Sequence, residues 1–239
     1  MAIKIWTTDI QKCFVWTTPV KSIWSWDTQV RPSGWWGWQP WANTLLYVPM
    51  KSDLDDHSGN NVSMTNNWVV IENWFWKFNW TSSYIYTTNN FSLASTPFTV
   101  SFWMNVNSIN TSWLIWHNLY SSGYKWWNMY IVNSKIRSEF TPNWWKIWTN
   151  TINVNQWMLV TLTADSSWRT LYKDWTQVST WSSSITFIAT SLYMGCGSWT
   201  STPDHFYNGY MSNVIIEDKV RTAQEVADYY NLTKSNYWL

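Results

Sequence analysis

Glycine is scarce in this sequence. The chain of 239 residues holds 7, where average usage of ~7% would supply roughly 17. Cysteine is scarcer still: Cys13 and Cys196 give no disulfide framework and no metal-ligand spacing, and Cys196 reads as a small buried thiol in a strand. Charge is thin, with 12% Asp, Glu, Lys and Arg and a net charge of +1. No basic run exists, so nucleic acid is excluded as the expected partner. No stretch of about 18 apolar residues occurs, and no membrane span is expected. The opening "MAIKIWTTDIQKCFVWTT" carries Lys4 and Lys12 and lacks the unbroken apolar region of a classical signal peptide.

Tryptophan is what the sequence has in excess, 26 residues, and it keeps the company of turns. "SGWWGWQP" mixes it with Gly and Pro, "ENWFWKFNW" has Asn-Trp twice, and "TPNWWKIW" follows Pro-Asn. "TLYKDWTQVST" (170–180) reads as a hairpin with Asp174-Trp175 at the turn, where Asp-Gly is the strong signal because a type I′ turn needs φ > 0 at both central residues. Two readings account for this. One is a Trp-rich stacking surface. The other is that many of these positions are glycine in the natural protein, since some bacterial lineages and their phages decode UGA as glycine where other codes give tryptophan. Trp16, Trp26, Trp35, Trp36, Trp74, Trp76, Trp80, Trp168, Trp175, Trp181 and Trp199 are assigned to that class. Trp103 in "TVSFWMNV" and Trp157 in "NQWMLVTLTA" lie in apolar strand patterns, where an aromatic packs well, and read as true tryptophans.

The first 32 residues form an arm with a ten-residue repeat, "WTTDI", "WTTPV" and "WDTQV" starting at Trp6, Trp16 and Trp26. Each unit reads as a turn and a short β segment that needs a partner to bury anything. Residues 33–41 read as a linker. From 42 to 239 short β-type runs recur, among them "NTLLYVPM", "SSYIYTT", "FTVSFWMNV", "WNMYIVN", "QWMLVTLTA" and "GYMSNVIIED", which predicts a sandwich or barrel. One helix is expected, capped by Thr222 and Glu225, with Ala223, Val226, Ala227 and Tyr230 at helical spacing.

Four phrases in order carry a family resemblance. They are "NTLLYVPMKSDLDDHSGNN", "FTVSFWMNV", "NQWMLVTLTA" with "RTLYKDWTQV", and "FYNGYMSNVIIEDKVRTAQEV". From about Asn43 to Leu239 the chain resembles the laminin G-like, concanavalin A-like jelly roll. The resemblance implies an all-β fold: a sandwich of two antiparallel sheets with one short C-terminal helix. The N-terminal repeat resembles Gly-Thr-Thr-x-Val repeats of phage-type structural proteins, which implies a partner protein or self-assembly through the arm.

Glycosidases of this architecture need two carboxylates about 5–5.5 Å apart, but Glu72, Glu139, Glu217 and Glu225 are isolated from one another in sequence. "DLDD" (53–56) is the closest acidic cluster and reads as a polar loop. His57, His117 and His205 stand in no nucleophile or metal signature. No enzyme is expected. Asp56, Ser58 and Asn60 offer hard oxygens of the kind Ca2+ takes, and the resemblance implies that this loop meets Asn213 on the last strand. The alternative is an Asx-rich turn satisfying its own backbone. For ligand binding, Asn118, Tyr120, Tyr124, Lys125, Asn128, Tyr130 and Arg137 combine aromatic faces with hydrogen-bonding groups suited to sugar rings. Core and turn roles compete for each. The expected protein is a non-catalytic module binding a glycan or surface receptor, part of a phage or cell surface. The alternatives are an architectural module without ligand and, more weakly, a glycan hydrolase. A surface of Ser, Thr and Asn suits a virion-associated or extracellular place.

Overall fold

The computed structural model describes residues 14–15, 18–19, 23–24, 29–30, 43–49, 53–89, 93–94, 97–117, 127–140, 145–182, 188–189, 191–197 and 202–238. The chain divides into two compact units, Met1–Gln39 and Pro40–Leu239. In the first, β1 (Phe14–Val15) pairs with β2 (Thr18–Pro19), and β3 (Ile23–Trp24) with β4 (Gln29–Val30). The second and third repeat units thus each contribute a strand to a two-residue ladder. The first repeat unit, the linker at 33–41 and Cys13 lie outside the described residues.

The second unit is a sandwich. Its strands are β5 (Thr44–Val48), β6 (Ser63–Asn67), β7 (Val70–Glu72), β8 (Phe75–Asn79), β9 (Tyr84–Asn89) and β10 (Leu93–Ala94). Then come β11 (Phe98–Val106), β12 (Ser112–His117), β13 (Trp127–Val132), β14 (Lys135–Phe140) and β15 (Trp145–Trp148). β16 (Trp157–Ala164), β17 (Trp168–Lys173), β18 (Thr176–Ser182), β19 (Ile188–Ala189), β20 (Leu192–Met194) and β21 (Asn208–Glu217) complete it. An eight-stranded antiparallel sheet runs β18-β17-β16-β11-β21-β8-β7, with β5 on the second half of β21. A seven-stranded one runs β15-β14-β13-β12-β20-β9-β6. β10 and β19 form a separate pair.

Alternation decides what fills the space between the sheets. Phe98, Val100, Phe102, Met104 and Val106 of β11 join Trp127, Met129, Ile131, Ile136 and Met194 from the other sheet in one buried cluster. The opposite side of β11 also buries an aromatic, because the C-terminal helix α1 (Ala223–Thr233) covers it. The Trp103 ring stacks on Tyr237 at 4.1 Å and on Tyr230 at 5.6 Å, and its indole N–H donates to Thr233 Oγ1 at 3.0 Å. The expected Thr222–Glu225 capping box is present. The buried stripe is Val226, Tyr229, Tyr230 and Thr233. Ala223 is exposed and Ala227 only half-buried, because the helix turns its aromatic residues onto Trp103.

The turn expectations divide. At the β7–β8 hairpin both central residues take positive φ, Asn73 at 52° and Trp74 at 73°, a type I′ turn. At the β17–β18 hairpin only Asp174 does, at 60°. The expectation that Trp175 needs a glycine-like backbone is therefore corrected: Asp174 bears it, and an Asp tolerates that region. Trp76 also departs from the turn tryptophans, being fully buried on β8 within the core.

Candidate ligand-binding face

The seven-stranded sheet turns Trp127, Met129, Ile131, Ile136, Phe140, Leu192 and Met194 into the core. Their strand neighbours must point the other way. Register then builds a row across six strands: Thr65, Tyr86, Tyr193, Trp116, Asn128 and Glu139 are successive cross-strand partners. Beside it stand Tyr84, Trp113, Tyr130 and Arg137. The β13–β14 hairpin that carries Asn128, Tyr130, Arg137 and Glu139 closes tightly because Asn133 and Ser134 both take positive φ, 50° and 57°.

This face is aromatic at one side. The rings of Tyr86 and Tyr193 lie 5.4 Å apart and nearly parallel, with Tyr84 about equally close to both, at 6.0 and 6.2 Å. All three are half-buried, and burial raises the hydroxyl pKa of Tyr84 and Tyr193. In the centre Trp113 packs edge-on against Trp116 at 4.7 Å and tilted against Tyr130 at 4.4 Å. His205, whose Nδ1 lies 2.9 Å from Asp204 Oδ1, meets Trp113 edge-on at 6.5 Å.

Farther along, the face becomes polar and stays buried. The Arg137 guanidinium lies 5.1 Å over the Tyr130 ring and is ion-paired to Glu139. Burial pushes the Tyr130 hydroxyl up to about 12, against the pull of Arg137. Burial likewise lowers Arg137, opposed by Tyr130. Asn128 is 0% exposed, and neither its Oδ1 nor its Nδ2 has a hydrogen-bond partner.

The structure therefore brings Asn128, Tyr130 and Arg137 together on one face. Asn118, Tyr120, Tyr124 and Lys125 lie outside the described residues. The sequence reading passed over Tyr84, Tyr86, Trp113, Trp116, Glu139 and Tyr193. The signal for the tyrosines was the alternation in "SSYIYTT", where Ile85 points into the core and its neighbours point out.

The acidic loop has a different organisation. Asp56 Oδ1 accepts from the N–H groups of Tyr47 (3.0 Å) and Ser58 (2.9 Å). Its Oδ2 accepts from Ser58 Oγ (2.8 Å) and the Val62 N–H (3.0 Å). Asn60 Nδ2 donates to the Thr44 and Leu45 carbonyls at 2.8 and 3.1 Å, while Asn213 donates to the Tyr237 hydroxyl at 2.8 Å. The loop is an Asx-type turn that pins itself to β5. A Ca2+ ion asks for about six to eight oxygen ligands, and the side chains arranged this way do not fit one. Among the described residues no group of three or more His, Cys, Asp or Glu could hold a metal. Cys196 is buried, and burial pushes its thiol pKa well up, which suits a small core residue.

A family model described as the concanavalin A-like lectin/glucanases superfamily, of laminin G type, matches residues 79–227. The chain belongs to that superfamily. Solved superfamily-like folds agree with the sandwich. The botulinum neurotoxin serotype D binding domain aligns with a TM-score of 0.62 at 17% identity, covering 79% of this chain and 51% of that one. The serotype D ligand binding domain in complex with N-acetylneuraminic acid aligns at 0.64 and 19%, covering 79% and 50%. A botulinum neurotoxin type C structure, whose cell entry depends on interaction with two ganglioside molecules, aligns at 0.62 and 15%, covering 79% and 51%. The chain spans about half the length of these solved chains, and at such identities the likeness is one of fold. No curated protein matches the chain in sequence.

Proposed function

We propose that this superfamily member is a non-catalytic carbohydrate- or receptor-binding module, a phage or cell-surface component in a virion-associated or extracellular setting. The carrying observation is the outward face of the seven-stranded sheet, where half-buried Tyr84, Tyr86 and Tyr193 run into a buried polar set with Asn128 at its centre. A tyrosine presents an apolar ring body with a polar tip, which suits a sugar ring with its mixed CH and hydroxyl surfaces. The N-acetylneuraminic acid of the botulinum neurotoxin serotype D structure and the gangliosides of the type C toxin support a glycan as the partner. The test is retention of the protein on immobilised neutral and sialylated glycans. Tyr86→Ala and Tyr193→Ala should each weaken retention about tenfold, equivalent to ~1.4 kcal/mol of binding. Retention on no glycan, or undiminished retention by both variants, would overturn the reading.

The N-terminal arm supports a second, architectural reading. Ladders of two residues are too short to be stable alone, which favours strand pairing with a partner protein or another copy. Ordered assembly lost on deleting residues 1–32, with no glycan retention by the intact chain, would support this reading over the first.

A further inference from the structure

The outermost strand of a sheet has N–H and C=O groups without a ladder partner, and such an edge invites another strand unless something blocks it. Four of the five edges of the two large sheets carry a block. β5 is covered by the acidic loop: the Tyr47 N–H donates to Asp56, the Tyr47 carbonyl accepts from the His57 N–H, and the Thr44 and Leu45 carbonyls accept from Asn60. β7 has three residues and ends on Glu72, which pairs with Lys77. β15 has four and carries Lys146. The register of β6 breaks between Ser63 and Met64.

β18 is the longest of the five, the seven residues "TQVSTWS", with neither a charge nor a proline. Its register slips once, near the hairpin turn, and from Ser179 to Ser182 it runs regularly against Trp168–Leu171. Thr176, Gln177, Thr180, Trp181 and Ser182 are exposed, and no other described strand pairs with its outer side. Thr, Val and Trp favour extended backbone. We propose that β18 pairs antiparallel with β18 of a second copy, about a two-fold axis through Thr180, and joins two eight-stranded sheets into one. Identical strands paired this way are self-complementary. This axis sets Thr180 opposite Thr180, a favourable cross-strand pair, and Ser179 opposite Trp181, all within the regular run; an axis one residue on would need residue 183, beyond the strand. An uncharged edge on a chain of net charge +1 meets its copy without repulsion, and it offers a foreign strand no charge by which to be selected.

The test puts charge on the axis. Sedimentation equilibrium of the wild-type chain from micromolar to millimolar concentration should show a dimer. Amides at 179–182 should exchange with deuterium more slowly as concentration rises. Thr180→Lys and Thr180→Glu each set like charges opposite one another and should each raise the dimer Kd at least about tenfold. An equimolar mixture sets Lys against Glu and should restore the dimer, which a folding defect cannot do. A wild-type chain that is monomeric at millimolar concentration overturns the proposal. So does a dimer that both variants leave intact, or one that the mixture fails to restore. None of these readouts involves a sugar, so the proposal stands or falls apart from glycan binding.

Discussion

One substitution made at two places, Trp→Gly at 68 and at 103, should have opposite consequences. Trp68 is 78% exposed and sits at φ 60°. It hides about a fifth of a side chain that can bury up to ~250 Å², so glycine forfeits roughly 50 Å², or about 1 kcal/mol at ~25 cal/mol per Å². Against that, leaving the left-handed region without a Cβ recovers about 1–2 kcal/mol. The balance runs from neutral to about 1 kcal/mol of stabilisation. Trp103 is fully buried, stacked at 4.1 Å on Tyr237 and bonded to Thr233. Truncating a core Trp costs about 3–5 kcal/mol, and glycine within a strand adds ~0.5–1. A total of about 4–6 kcal/mol is a large part of the ~5–15 that holds a domain together. Urea unfolding read at constant m-value gives both numbers. If Trp103→Gly fails to fold, Trp103→Phe keeps a ring, loses the bond to Thr233 and should cost about 1–2 kcal/mol. A loss above about 1 kcal/mol for Trp68→Gly, or below about 2 for Trp103→Gly, would refute the distinction between turn and core tryptophans.

Two further outcomes follow from the same geometry. Asp174 has its pKa raised by burial, opposed by the Leu159 N–H and Lys173. A carboxyl with a raised folded-state pKa binds more protons folded than unfolded, so its contribution falls as pH rises from the ordinary carboxyl value through the folded one. Asp174→Asn keeps the acceptor for Leu159 and should be relatively more stabilising at pH 7 than at about pH 3; thermal unfolding at both pH values showing the reverse order would refute this. Asp56→Ala removes the acceptor of four bonds to the β5 loop and should destabilise by about 2–4 kcal/mol, equally with Ca2+ or with a chelator. A calcium-dependent loss in calorimetry would show that the loop holds a cation after all.

The long central strands are legible in the sequence because both of their sides are buried. "FTVSFWMNV" and "WMLVTLTA" are near-continuous apolar runs and become β11 and β16 whole. β6, "SMTNN", and β7, "VIE", are not legible as strands. They lie at the edges of their sheets, where exposure leaves Asn and Thr in β6 in place of a hydrophobic alternation, and β7 is only three residues long. The helix is announced by its capping box, but its buried stripe is set by what it covers, and Trp103 is 130 residues from Thr233. The ligand face is harder still. Tyr86 and Tyr193 meet only because β9 and β20 are neighbours in the sheet, and the isolation of the Asn128 amide is a property of its cross-strand surroundings that no local pattern encodes.

The two sheets divide the work by what lies on their outer sides. On the eight-stranded sheet that side is closed: Trp103, Tyr230 and Tyr237 interleave under α1, and the hydroxyl of Thr233 completes the contact by donating to Tyr229 O at 2.8 Å. Aromatic residues there serve stability, and the Trp103 indole takes its polar partner, Thr233, from within the chain. On the seven-stranded sheet the described helix is absent, yet the aromatic and polar content is just as high. Tyr84, Tyr86 and Tyr193 stay half-buried, and a deeply buried amide goes unanswered. A sheet that needed only a cover would place apolar residues at 128 and 139, since unpaired buried polarity costs stability that a hydrophobic side chain would return. The half-buried tyrosines are the part of this face that a partner from solution can reach, and this is why Tyr86 and Tyr193, rather than the more conspicuous tryptophans, are the residues on which a binding function should be tested.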